Sequence, residues 1–66
     1  MKLTVNGEVR EVPQAATVSH LLDLLEVGAP RVAVEVNHAL VPRARHAEHR
    51  LAEGDAVEIV TFVGGG

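Results

Sequence analysis

One segment of this chain carries a sustained helical period, and that limits the possible architectures more than any other feature. Val18, Leu21, Leu22 and Leu25 recur at i, i+3, i+4 and i+7, so they line one face of a helix, while Ser19, Asp23 and Glu26 point elsewhere. Thr17 is placed to cap the first turn with its hydroxyl. Gly28 suits the left-handed position just past the helix end, and Pro30 stops the helix, which predicts a span of 18 to about 27. The remaining apolar runs alternate with period two, as strands do. With one helix available, its leucine face must cover one side of a sheet, which is a two-layer α+β arrangement.

The strands follow from the alternation and the turn residues. In residues 1–6, Leu3 and Val5 alternate with Lys2 and Thr4. Asn6-Gly7 is a strong hairpin signal, because a type I′ turn needs positive φ at both central residues. A second strand covers 8–12 and ends at Pro13. Its register stays open: a two-residue turn puts Glu8, Arg10 and Val12 on the face of Leu3 and Val5, whereas a bulged turn puts Val9 there. Residues 31–37 form the next strand, with Val32, Val34 and Val36 on its buried face. Leu40-Val41-Pro42 reads as a short edge piece, the place where a sheet tolerates proline. Residues 43–50 read as a short helical turn, polar and exposed, and Glu53-Gly54-Asp55 as a turn into a last strand over 56–63. The chain is expected to be a single domain over 1–63 with a flexible glycine tail at 64–66.

Composition removes several function classes. At 66 residues the chain lies near the lower limit for a self-sufficient core, and Phe62 is its only aromatic residue. A core of Val, Leu, Ile and Ala suffices to fold, but not to enclose a substrate pocket of a few hundred Å³ as well. An independent enzyme is therefore not expected. A formal charge of −3 argues against nucleic acid, which needs a basic face to release counterions. No apolar run approaches the roughly 20 residues needed to span a membrane, and there is no signal-peptide pattern, so a soluble, cytoplasmic protein is expected. Cysteine is absent, so any sulfur handled by this chain is not carried on a side chain. His46 and His49 stand at i, i+3, but no cysteine or carboxylate completes a metal set at a recognisable spacing. They are read, with His20 and His38, as solvated surface groups, and no metal is expected. Arg43, Arg45 and Arg50 read as a solvated basic stretch able to meet an acidic partner surface.

Chemistry concentrates at the end of the sequence. Gly64, Gly65 and Gly66 carry no side chain and offer an α-carboxylate on a thin, flexible thread, able to enter another protein's narrow active site. In the strand before them, Val57, Ile59 and Thr61 alternate with Glu58, Val60 and Phe62. If Glu58 faces solvent, Val60 and Phe62 are exposed beside the tail as a partner-docking patch. The competing reading packs Phe62 over the sheet edge as core.

Val5-Asn6-Gly7, Thr17-Val18 before Leu21-Leu22, Val34-Glu35-Val36-Asn37, Val41-Pro42-Arg43, the run 51–60 with Gly54-Asp55-Ala56-Val57-Glu58-Ile59, and Phe62-Val63-Gly64-Gly65-Gly66 carry a likeness across the whole chain. The sequence resembles the sulfur carrier family of thiamine biosynthesis, within the ubiquitin-like β-grasp folds. The resemblance implies a mixed sheet of four to five strands with one main helix packed on one face. It implies that an ATP-dependent adenylating enzyme of the ubiquitin-activating type adenylates the carboxylate of Gly66. A donor, typically a persulfide supplied by a cysteine desulfurase, then leaves a thiocarboxylate there, and thiazole synthase receives the sulfur. Gly64 and Gly65 would occupy the partner's channel, and ATP would be used by the partner with no cofactor bound to this chain. Carriers for molybdopterin synthesis and tRNA thiolation share the fold and tail, and a ubiquitin-like modifier or interaction module is an alternative of another class. Family members often carry an aromatic residue where this chain has His46, which implies a less adhesive surface there.

Overall fold

The computed structural model describes residues 1–28 and 31–62. The elements are β1 (Lys2–Val5), β2 (Glu8–Glu11), α1 (Val18–Leu24), β3 (Val32–Val36), β4 (Ala39–Val41), a 3-10 turn (Arg43–Arg45) and β5 (Ala56–Thr61). They form a five-stranded sheet in the order β2-β1-β5-β3-β4. β1 and β5 are parallel and the other pairs antiparallel, so the sheet is mixed, as expected. The short strand β4, which precedes Pro42, lies at an edge.

The core is the apolar face of the sheet closed by α1. Leu3 and Val5 of β1, Val34 and Val36 of β3 and Val57 of β5 are buried together with Val18 and Leu21 of the helix. Leu22 and Leu25 pack partly buried against this cluster, so the leucine face covers the sheet as its spacing predicted. Thr17 caps α1, its Oγ1 accepting from the His20 N–H at 3.1 Å.

The first hairpin resolves its open register. Asn6 and Gly7 have φ of 49° and 84°, the left-handed pair of a type I′ turn. Leu3 lies opposite Arg10, and Thr4 opposite Val9. Val9 therefore points away from the helix and is 70% exposed. A second turn of the same kind, unforeseen in the sequence, joins β3 to β4: Asn37 and His38 have φ of 52° and 70°. Asn is a ready occupant of that conformation. His38 is the less obvious half, and it hid the hairpin.

The helix ends earlier than predicted. Leu24 is its last residue, and Glu26, at φ 56°, takes the left-handed position assigned above to Gly28. The Val27 N–H donates to the Leu22 carbonyl at 3.0 Å and the Glu26 N–H to the Asp23 carbonyl at 3.0 Å, so the orphaned carbonyls are met two residues sooner. Pro30, the expected stop, lies outside the described residues. A non-glycine residue pays sterically for that backbone conformation. Glu26 is exposed, so Glu26→Gly is expected to stabilise the domain by about 0.5–1 kcal/mol. Urea titration checks this, and a lower midpoint would contradict it.

The segment after β4 also differs from expectation. Arg43, Ala44 and Arg45 are exposed, but His46 is only 6% exposed. Its Nε2–H donates to the Val41 carbonyl at 3.0 Å. The His46 and His49 carbonyls accept from the Ser19 and Val18 N–H groups at 2.9 and 3.0 Å. The segment thus supplies acceptors to the first turn of α1, whose amides have no partner within the helix. His46 is therefore a buried wedge and not part of a surface, so the less adhesive surface expected there does not arise.

Candidate functional site

β5 is rich in β-branched residues, which suit a strand flanked on both sides. It pairs with β1 through Thr4↔Ala56 and Val5↔Val57, and with β3 from Val36↔Val57 to Val32↔Thr61. β1 turns away at Asn6, before β5 is finished. The Asn6 side chain continues the ladder in its place: its Oδ1 accepts from the Ile59 N–H at 2.7 Å and its Nδ2 donates to the Ile59 carbonyl at 3.1 Å. Asn37 does similar work at the start of β5. Its Oδ1 accepts from the Ala56 N–H at 2.9 Å, and its Nδ2 donates to the Asp55 carboxylate at 2.9 Å. Both asparagines that permit the left-handed turns therefore brace the strand leading to the tail. The Phe62 N–H, donating to the Arg31 carbonyl at 3.1 Å, extends this pairing one residue past β5.

The alternation along β5 is as predicted. Val57 is buried and Ile59 partly buried on the helix side, whereas Val60 and Phe62 are each 52% exposed on the face of Glu58. Phe62 is not core. Gly64, Gly65 and Gly66 lie outside the described residues, as does Val63. Sequence reasoning missed the neighbours that complete the outer face. Ala33 lies opposite Val60, Glu35 opposite Glu58, and Leu40, 64% exposed, opposite Glu35. Their alternation was visible, but their register was not.

An open groove of about 540 Å³ lies elsewhere, between β4 and the segment bearing Arg45, His49 and Arg50. Val36, which lines it together with its β4 partner Ala39, sits at the opposite end of β3 from the Val32↔Thr61 pair that precedes the tail. Among the described residues no three His, Asp or Glu side chains converge as a metal set. No helix among the described residues is long and apolar enough to cross a membrane.

Comparison with known proteins fits this geometry. The ThiS family model matches residues 3–66. A protein of Paramagnetospirillum magneticum named thiazole synthase is 46% identical over 66 residues, 100% of this chain and 20% of that protein. The chain thus spans 20% of the length of the thiazole synthases it matches. The sulfur carrier protein ThiS of Bacillus subtilis is 35% identical over 65 residues, 97% of this chain and 98% of the relative. The crystal structure of the thiamine biosynthesis protein ThiS from Geobacter metallireducens matches with a TM-score of 0.85 at 39% identity, covering 100% of both chains. The fold, the order of the strands and the match from residue 3 to residue 66 lead to one statement of kinship: the chain belongs to the ThiS family.

Proposed function

We propose that this chain is the sulfur carrier of thiazole formation in thiamine biosynthesis. The observation that carries the reading is its end-to-end match to ThiS carriers, with a braced central strand continuing in sequence into three glycines. The carboxylate of Gly66 is a poor electrophile. Coupling to AMP by an ATP-dependent adenylating enzyme releases pyrophosphate and supplies a leaving group. A donor persulfide displaces AMP to form an acyl disulfide, and a thiol reductant cleaves its S–S bond to leave the thiocarboxylate. A cysteine desulfurase fits the donor role, because it makes persulfides. Relatives named thiazole synthase contain a stretch matching this chain, which supports thiazole synthase as the acceptor. The chain serves as a co-substrate and catalyses nothing itself; ATP is bound and consumed by the partner. The setting of this chemistry is cytoplasmic.

Gly64 and Gly65 form the part of the thread that lies in the partner's channel, and Val60 and Phe62 are the docking residues beside it. Phe62→Ala is expected to weaken binding to the adenylating enzyme by about 10–30-fold. Its melting temperature should change little, because the ring is half exposed. A large fall in melting temperature with unchanged affinity would return Phe62 to a structural role.

The direct test is the intact mass of the protein after incubation with ATP, the adenylating enzyme and a sulfur donor. The expected result is a gain equal to replacing one oxygen by sulfur, lost when Gly66 is deleted. An unchanged mass with an active enzyme and donor would overturn the carrier assignment.

A further inference from the structure

The outer face of the sheet holds an arrangement that does not favour the isolated domain. Glu35 and Glu58 stand directly opposite each other on β3 and β5, and both are exposed. Like charges at facing positions of adjacent strands repel and destabilise the pairing. Among the described residues no cation meets either of them; the ion pair present, Glu8 to Arg10 at 3.5 Å, lies on β2. Around the two carboxylates are exposed apolar groups: Leu40 beyond Glu35, Val60 two residues along β5 from Glu58, and then Phe62. A solvated face would ordinarily interleave both signs of charge and leave large apolar side chains few. This face has acids at its centre and Leu40, Val60 and Phe62 around them, with Thr4 and the exposed Lys2 of β1 farther along its other side.

We propose that this outer face takes a cationic side chain of the adenylating enzyme, arginine or lysine, between the carboxylates of Glu35 and Glu58, with Leu40, Val60 and Phe62 packed around it. The inference rests on the docking reading given above and adds the chemistry of the partner's surface. A guanidinium presents donors to two sides at once, and the aliphatic stem behind it can lie on the small Ala33 and on Val60. The adenylating enzyme is the partner to which the charge argument applies most directly. It must hold the phosphates of ATP where the tail enters, so it presents positive potential there, and this chain has a net charge of −3. In the free carrier the two glutamates repel; in the complex each gains the same counter-charge. The repulsion thereby becomes a contribution to docking.

The test compares the full chain with Glu35→Gln, Glu58→Gln and Glu58→Lys, using Phe62→Ala as control. Melting temperature is measured on the free carrier, and affinity for the adenylating enzyme at about 50 mM and about 500 mM salt. Each glutamine variant should melt about 2 °C higher than the parent, because repulsion is relieved. Each should bind about 10-fold more weakly at low salt, with the difference shrinking at high salt, and Glu58→Lys should bind more weakly still. Glutamine variants that bind as tightly as the parent, while Phe62→Ala binds weakly, would overturn the cation inference and leave the docking face intact. If Phe62→Ala and the glutamine variants all bind normally, the docking reading falls and this inference with it. A lower melting temperature for both glutamine variants would also overturn it, since the pair would then be stabilising.

Discussion

Replacing Gly65 by valine is expected to cut adenylation of Gly66 by about 100-fold or more while leaving the melting temperature of the domain unchanged. The two halves of this result have separate causes. Valine brings a branched Cβ, which stiffens the backbone and thickens the segment that the proposed docking lays in a channel beside ATP. A shift of about 1 Å in the attacking carboxylate is enough for a loss of that size. Stability is untouched because the core, from Leu3 to Val57, is complete before Gly65 in the sequence. Single-turnover release of pyrophosphate, with the carrier limiting, measures the adenylation step. Adenylation of Gly65→Val at the parent rate would show that slimness at this position is not required.

Leu21→Ala is expected to have the largest effect on folding. Leu21 is 0% exposed and is the central residue of the face that α1 lays on the sheet. Deleting such a side chain from a packed core costs about 2–5 kcal/mol, from lost burial and the cavity left behind. The whole stability of a domain this size is of the order of 3–10 kcal/mol. The variant should therefore be partly unfolded at 37 °C, with a urea midpoint far below the parent's. Sulfur loading should fall with the folded fraction and recover on cooling. A loss below about 1 kcal/mol would mean that the helix is not the main cover of the sheet.

Much of the fold is written in short-range patterns. Val32, Val34 and Val36 announce a strand by alternation, Val18 and Leu21 a buried helix face, and Asn6-Gly7 a tight turn; none of these depends on distant partners. Failures of the sequence reading fall where distant or fine contacts decide. The helix stops at Leu24 because the Glu26 and Val27 amides find carbonyls one turn back, and no residue type announces that geometry. His46 is buried because the Val41 carbonyl and the first turn of α1 happen to close around it, so its chemical type alone misleads. The candidate site divides in the same way. Exposure of Val60 and Phe62 follows from period two once Glu58 is assigned to solvent. The opposition of Glu35 and Glu58 requires knowing that β5 inserts between β1 and β3, which no local pattern carries.

The parallel pairing of β1 with β5 has a mechanical consequence. A partner or a translocating machine that pulls on the glycine thread applies force along β5, while β1 at the other end of the chain is dragged the opposite way. Force directed along two parallel neighbours shears them, so their hydrogen bonds share the load together. In a peeling geometry they would break one after another. The bonds loaded include the Thr4 N–H to the Asp55 carbonyl at 3.0 Å, the Asn6 N–H to the Val57 carbonyl at 2.8 Å, and the two Asn6 side-chain bonds to Ile59. The β3 ladder on the opposite edge of β5 must slip as well. Tension along β5 is thus borne by the whole width of the sheet's centre, so that this strand can be tugged without unravelling the protein that carries it.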